Sequence, residues 1–190
     1  VADGKALAAG MHVFEPRHED FNRAHVIARM AAAPVVLIEL FRRTQGLVVA
    51  AQNPHGIATI KDLRGLRVVS RQQGAGAYLL FDHLLDTAEL ARTELDMLDP
   101  PARSEADVAL AISDDKAHAG LAIETVARHY RLGFVPLFNE RYDLLLRRRQ
   151  YFEPPVQSLM AFVKSSAFKQ RAAEMAGYDT STTGTVHYNG

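Results

Sequence analysis

Arg71, Gln73, Gly74, Ala75, Gly76, Ala77 and Tyr78 put a guanidinium, an amide and two glycines directly before apolar residues at helical spacing (Leu79, Leu80 and Leu84, with Phe81 and Leu85 beside them). Upstream, Leu66, Val68 and Val69 have the β-branched bias of a buried strand. Strand, small-residue turn and helix together expose the unbonded N–H groups of a helix start, where the helix dipole is positive. The chemistry this offers is capture of a small anion by the amides of Gly76, Ala77 and Tyr78, with Arg71 or Gln73 reaching over it. A dinucleotide fingerprint is excluded, because the third glycine of GxGxxG falls at Leu79. A phosphate-binding P-loop is excluded too, since no Lys-Ser/Thr follows the glycines.

Arg43, Thr44, Gln45 and Gly46 form a second polar group, placed after a buried strand where ligand sites of α/β proteins tend to form. His12 begins an apolar segment after a glycine and is either a neutral donor to a ligand or a hydrogen-bonded core histidine. Other chemistry is poorly supplied. The histidines do not form HExxH, so no metal is expected, and no cofactor motif is present. No GxSxG elbow, cysteine or close carboxylate pair supports catalysis, so the chain reads as a non-enzyme.

The elements that must position these groups alternate. Strands are predicted over 11–14, 35–40, 47–51, 119–123, 134–138 and 142–146. Helices are predicted over 21–32, with Val26, Ile27 and Met30 on its apolar side, from the 59–62 capping box to Gly65, and from the 104–107 capping box to Asp114. Further helices are predicted over 124–131, from Pro154 to Lys164, and over 168–176, ended by Gly177. The tail after it reads as irregular. This alternation argues an α/β fold with mostly parallel sheets. The extended stretches 45–52 and 141–148 could be paired connections between two lobes, with residues 1–48 and 144–190 in one and the inserted 49–143 in the other.

Composition narrows the partners. The 190 residues are 48% hydrophobic and 23% charged, and 22 basic residues balance 22 acidic ones. A net charge of zero leaves no global footprint for nucleic acid or anionic membrane. Arg147, Arg148 and Arg149 are the only basic run and read as a solvated turn, so DNA contact would need a separate module. No apolar run approaches a membrane span. The start lacks the pattern of a signal peptide, and the chain is expected to be a fragment of something longer. With no cysteine there are no disulfides.

The segment LFRRTQGLVVAAQNPHGIATIKDLRGLRVVSRQQGAGAYLLFDHLL, with HAGLAIETVA, LGFVPLFNERYDLLL and VQSLMAFVKSSAFKQRAAEMAGYDTSTTG after it, resembles the periplasmic-binding-protein-like domain of bacterial and archaeal proteins outside the classical transport systems. The resemblance runs in order from His12 to Gly184, and its most specific blocks are NPxGI, DLxG and RQxGAG. It implies a type II periplasmic-binding-protein-like fold: two α/β lobes, two hinge crossings and a ligand in the cleft. That cleft would be bordered by the regions of Glu140 and Glu124 and by Tyr142, which reads first as a packed aromatic and second as a hydroxyl donor. The family is often fused to helix-turn-helix modules or molybdopterin-biosynthesis proteins and is similar to molybdate- and tungstate-binding proteins.

The same resemblance implies a cytoplasmic ligand-sensing domain for a small oxyanion. One alternative is an extracytoplasmic solute-binding protein of an ABC transporter, if a signal peptide precedes Val1; another is an accessory domain of molybdenum-cofactor synthesis. Two departures bear on the ligand. Related oxyanion binders carry Ser-Gly-Thr where this loop reads Ala75-Gly76-Ala77, and the family's first strand is expected to lie outside this chain.

Overall fold

Three short strands open the chain: β1 (Ala8–Met11), β2 (Phe14–Glu15) and β3 (Asp20–Phe21). β2 and β3 form their own hairpin, with Phe14 opposite Phe21. Helix α1 (Arg23–Met30) comes next and buries Val26 and Met30. The Glu15 carboxylate accepts from the Ala24 and His25 amides at 2.9 and 2.7 Å, satisfying two donors of the helix start from a neighbouring strand. The computed structural model describes residues 1, 4–30 and 33–190, so the end of the helix predicted over 21–32 lies outside the described residues.

β4 (Val35–Val49) is a single strand of 15 residues where two were expected. Next come a 3₁₀ turn (Ile60–Leu63), β5 (Arg67–Val69), α2 (Gly76–Thr87), β6 (Asp96–Met97), α3 (Glu105–Ser113), β7 (Ala119–Ile123) and α4 (Glu124–His129). Both predicted capping boxes are present: Asp62 accepts from the Thr59 amide at 2.8 Å, and Asp107 from the Ser104 amide at 2.8 Å. β8 (Gly133–Arg147) is again one strand of 15 residues in place of two. The chain closes with α5 (Arg148–Tyr151), α6 (Pro154–Val163), α7 (Ser166–Glu174), β9 (Tyr178–Asp179) and β10 (Val186–Asn189). Two of these strands lie in the tail that the sequence suggested to be irregular.

Two compact units result: residues Val1–Arg43 with Glu140–Gly190, and residues Thr44–Asn139. The divisions fall within β4 and β8, at 43/44 and 139/140, where the sequence reading put them at 48/49 and 143/144. In the first unit β1 pairs with β8, and β9 and β10 pair with β4, all antiparallel. Its core has Val36, Ile38, Leu144 and Leu146 against Val156, Met160 and Val163 of α6, and Val35, Leu37 and Leu145 against Val26 and Met30 of α1.

In the second unit β7 pairs antiparallel with the end of β4, and β5 lies parallel to both β6 and β7. Val48, Val69, Val108 and Ile112 are at its core. The expected mostly parallel sheet is therefore corrected. The parallel ladders lie at β5, whereas the two long strands receive antiparallel partners from distant parts of the chain.

Candidate ligand-binding site

In the first unit a polar group forms where β4 and β8 reach the unit's boundary. Glu140 and Tyr142 are two residues apart on β8 and share a face, as do Phe41 and Arg43 on β4. β1 ends with Met11 opposite Asp143, which brings His12 alongside Tyr142. Glu140 is the hub: Oε1 meets His12 Nδ1 at 2.7 Å, and Oε2 accepts from Arg43 Nε at 2.5 Å. Its side chain is 1% exposed, against 11% for Arg43 and 26% for His12.

Burial opposes ionisation of Glu140. The hydrogen bond with His12 and the charge of Arg43 outweigh it and hold the carboxyl below its usual range. With Nδ1 engaged, His12 Nε2 has no hydrogen-bond partner among the described residues.

Aromatic rings adjoin this pair. Tyr142 stacks with Phe41 at 4.8 Å and with His12 at 5.6 Å, and Phe41 meets Tyr178 at 5.0 Å. The Arg43 guanidinium lies 5.2 Å from the Tyr142 ring centre. The Tyr142 hydroxyl rests on Gly10, where a β-carbon would come within 2.0 Å of it. A glycine at that position is what lets the ring lie over β1.

A second buried network stands beside the first. Arg141 Nε donates to both oxygens of Asp143 at 3.1 and 3.0 Å, and its terminal nitrogens reach Asp20 and the Phe21 carbonyl at 2.7 Å each. Asn22 donates to Asp143 at 2.8 Å. Burial raises the Asp143 carboxyl in spite of Asn22 and Arg141. Glu39 accepts from Thr182 and Arg42 and meets His187 at 2.7 Å. These contacts tie the β2–β3 hairpin and the tail to the long strands. A cavity of about 340 Å³ lies by the hairpin, lined by Glu15, His18, Asp20 and Arg23. The neighbouring helix start is already occupied by Glu15.

In the second unit Arg71 to Tyr78 form the predicted turn. Arg71 is anchored: it bridges Ala102, and its guanidinium donates to the Arg103 carbonyl at 2.8 Å. Its Nε is buried and, among the described residues, has no hydrogen-bond partner. Gln73 and Gly74 are exposed, Gly74 at φ +85°, a left-handed conformation natural to glycine. Ala75 is the extended N-cap of α2 and has no side-chain hydroxyl to offer.

The amides of Gly76 and Ala77 have no acceptor among the described residues, whereas the Tyr78 amide donates to the Ala75 carbonyl at 3.0 Å. The Tyr78 ring lies 4.5 Å from the Arg92 guanidinium, which is paired with Asp82. Tyr78 is thus engaged by its own helix and by Arg92. Thr44 is half-buried, and Gln45 is fully buried opposite Ile123.

The sequence reading missed the hub role of Glu140 and the rings of Phe41 and Tyr178. One signal was available. Arg42 to Gln45 and Asn139 to Arg141 are the longest polar interruptions in two extended, mostly apolar runs.

Residues 1–164 match the family model for the PBP superfamily domain. The chain belongs to this family. The Bacillus subtilis protein YvgK is 25% identical over 185 residues, which are 96% of this chain and 59% of that protein. The domain thus spans little more than half the length of that relative. Among solved structures, the ancestral amino acid-binding protein AncCDT-1, a precursor of cyclohexadienyl dehydratase, matches with a TM-score of 0.61 at 14% identity, covering 92% of this chain and 70% of that one. The periplasmic aliphatic sulphonate binding protein SsuA from Escherichia coli matches with a TM-score of 0.54 at 18% identity, covering 90% and 59%. The PBP superfamily domain described here therefore has the type II periplasmic-binding-protein fold, as the resemblance implied, and is a ligand-binding domain of that family.

Proposed function

We propose that this PBP superfamily domain is a non-catalytic sensor of a small anion. Its candidate anion contacts are Arg71 and the amides of Gly76 and Ala77 in the second unit; Arg43, His12 and Tyr142 are a separate candidate group in the first. The observation that carries the reading is the turn before α2, where two helix-start amides lack an acceptor and an anchored guanidinium stands a few residues upstream. A ligand shifts the domain toward the conformation that binds it better, and a fused or partner module would read that change. Oxyanions of the molybdate and tungstate class are one candidate ligand.

Isothermal titration calorimetry with molybdate, tungstate, sulfate, phosphate and simple organic anions tests the reading. Saturable heat with at least one, abolished by Arg71→Ala, is expected. Silence from all of them overturns it.

The binding functions named for AncCDT-1 and SsuA favour a second reading, a solute-binding protein of a transporter. A signal peptide or lipidation site encoded upstream of Val1 would support that one over a cytoplasmic sensor.

A further inference from the structure

We propose that the outer face of α6 and the groove at its start form a docking surface for an acidic, apolar peptide segment of a partner protein. Three features of the first unit lead there.

The first is the helix itself. α6 buries Val156, Met160 and Val163 against residues of β4 and β8. A surface helix ordinarily carries polar residues on its opposite side. Here that side carries Pro155, Leu159 and Phe162 at i, i+4 and i+7, and the polar residues of the helix are Gln157 and Ser158 alone. Leu159 is 40% and Phe162 53% exposed, and Phe152, just before the helix, is 72% exposed. Apolar side chains aligned in this way mark a contact face, whereas scattered ones do not.

The second is the groove. Pro155 also lines a cavity of about 480 Å³, to which Leu7 and Val156 add apolar wall and Arg147 and Arg149 a basic rim. Gln150 lines it too, and its Oε1 is buried with no hydrogen-bond partner among the described residues. A buried acceptor left open is costly, and a peptide N–H entering the groove satisfies it. A chain segment can enter such a concavity; a flat anionic bilayer cannot.

The third is charge. Residues 147–174 include six basic residues and two acidic ones, in a chain of zero net charge. Arg148 and Arg149 are exposed and meet no carboxylate among the described residues, while Glu174 is held by Arg171 at 3.0 Å. Glu153 is the one acidic residue lining the groove. Lys164 and Lys169 follow the stripe, so cations stand at both of its ends. This pattern selects apolar residues flanked by acidic ones. Pairing of the face with itself would set like charges together, so a second copy fits it poorly.

A random peptide library displayed on phage and selected on the domain tests the proposal. Enriched sequences should combine Asp or Glu with apolar residues. Synthetic peptides of those sequences, read by fluorescence polarisation, should lose about tenfold or more in affinity on Phe162→Asp and on Arg149→Glu. Both side chains are exposed, so both variants should keep the wild-type Tm.

Absence of enrichment, enriched sequences without acidic residues, or peptides indifferent to both substitutions overturns the proposal. A dimer in sedimentation equilibrium that Phe162→Asp disperses assigns the face to a second copy and overturns it. Co-sedimentation with phosphatidylserine vesicles that Arg149→Glu abolishes assigns it to a membrane surface and overturns it likewise.

Discussion

Arg43 on β4 donates to Glu140 on β8 at 2.5 Å, and these are the residues at which the two long strands leave the first unit. The ion pair joins the chain's two crossings on the side of that unit. His12 and Arg43 engage both oxygens of this buried carboxylate and offset the cost of its burial. The same arrangement sets the Arg43 guanidinium and the His12 ring beside Tyr142.

Removal of the hub alone should be costly. Glu140→Ala leaves Arg43 without its carboxylate and should destabilise the domain by about 3–5 kcal/mol. Glu140→Gln keeps the shape and a hydrogen-bonding oxygen and should cost clearly less. Urea unfolding of the two variants provides the comparison, and equal costs would contradict the assigned role.

The direction of the shift at Glu140 sets the pH dependence. Glu140 is held below its ordinary value, so its stabilising contribution is complete above the unfolded value of about 4.3 and is lost as pH falls through the lower native value. Asp143 is raised by burial, so its contribution has the opposite sign and declines as pH climbs from about 3.9 through the raised value. The difference in Tm between wild type and Glu140→Gln isolates the first effect. It should be constant from pH 7 to about 5 and shrink below about pH 4.

Gly46 approaches β8 closely. A β-carbon there would stand 2.2 Å from the Val135 carbonyl oxygen and 2.6 Å from the Phe134 ring. Because backbone cannot yield as a side-chain tip can, Gly46→Ala should cost about 1–3 kcal/mol. An unchanged urea midpoint would refute the close contact.

Gly10→Ala meets only the tip of Tyr142, at 2.0 Å from its hydroxyl. The ring can swing away, so stability should change by less than about 1 kcal/mol. The stack with Phe41 and His12 loses its alignment as it swings. Tm should then be nearly unmoved in thermal unfolding, and a large drop would mean that the ring is locked in place.

Ser104 is the N-cap of α3, and its hydroxyl accepts from the Asp107 amide at 3.0 Å. Ser104→Ala should destabilise by about 1 kcal/mol and leave anion affinity alone. Denaturant unfolding measures the first effect and calorimetry the second.

Local chemistry made much of this fold legible. Both capping boxes, the glycine turn before α2 and the prolines opening α6 are signals contained within a few residues, and each marks a real boundary. The long strands were misread because Arg42–Gln45 and Asn139–Arg141 look like loop residues. Part of their polarity is satisfied across the chain, Arg43 by Glu140 and Arg141 by Asp20 and the Phe21 carbonyl, partners that no local window contains. The strand Val186–Asn189 was missed for a related reason: a short, polar segment is extended because β4 pairs with it, not through any propensity of its own. At the site, His12, Arg43 and Tyr142 could be named as candidates from residue type and position. Glu140 could not be given its role, since a glutamate in a sequence carries no mark of the two partners that will enclose it.

One edge of β4 is completed in three pieces, by β10 over Val36–Ile38, by β9 over Arg42–Arg43 and by β7 over Gln45–Val49. Two of those pieces come from beyond residue 177. During synthesis, β4 therefore waits as an uncovered hydrophobic edge while more than a hundred later residues are made. The nascent chain stays vulnerable to mispairing over that interval, and the first unit can close only after translation has passed its last strand.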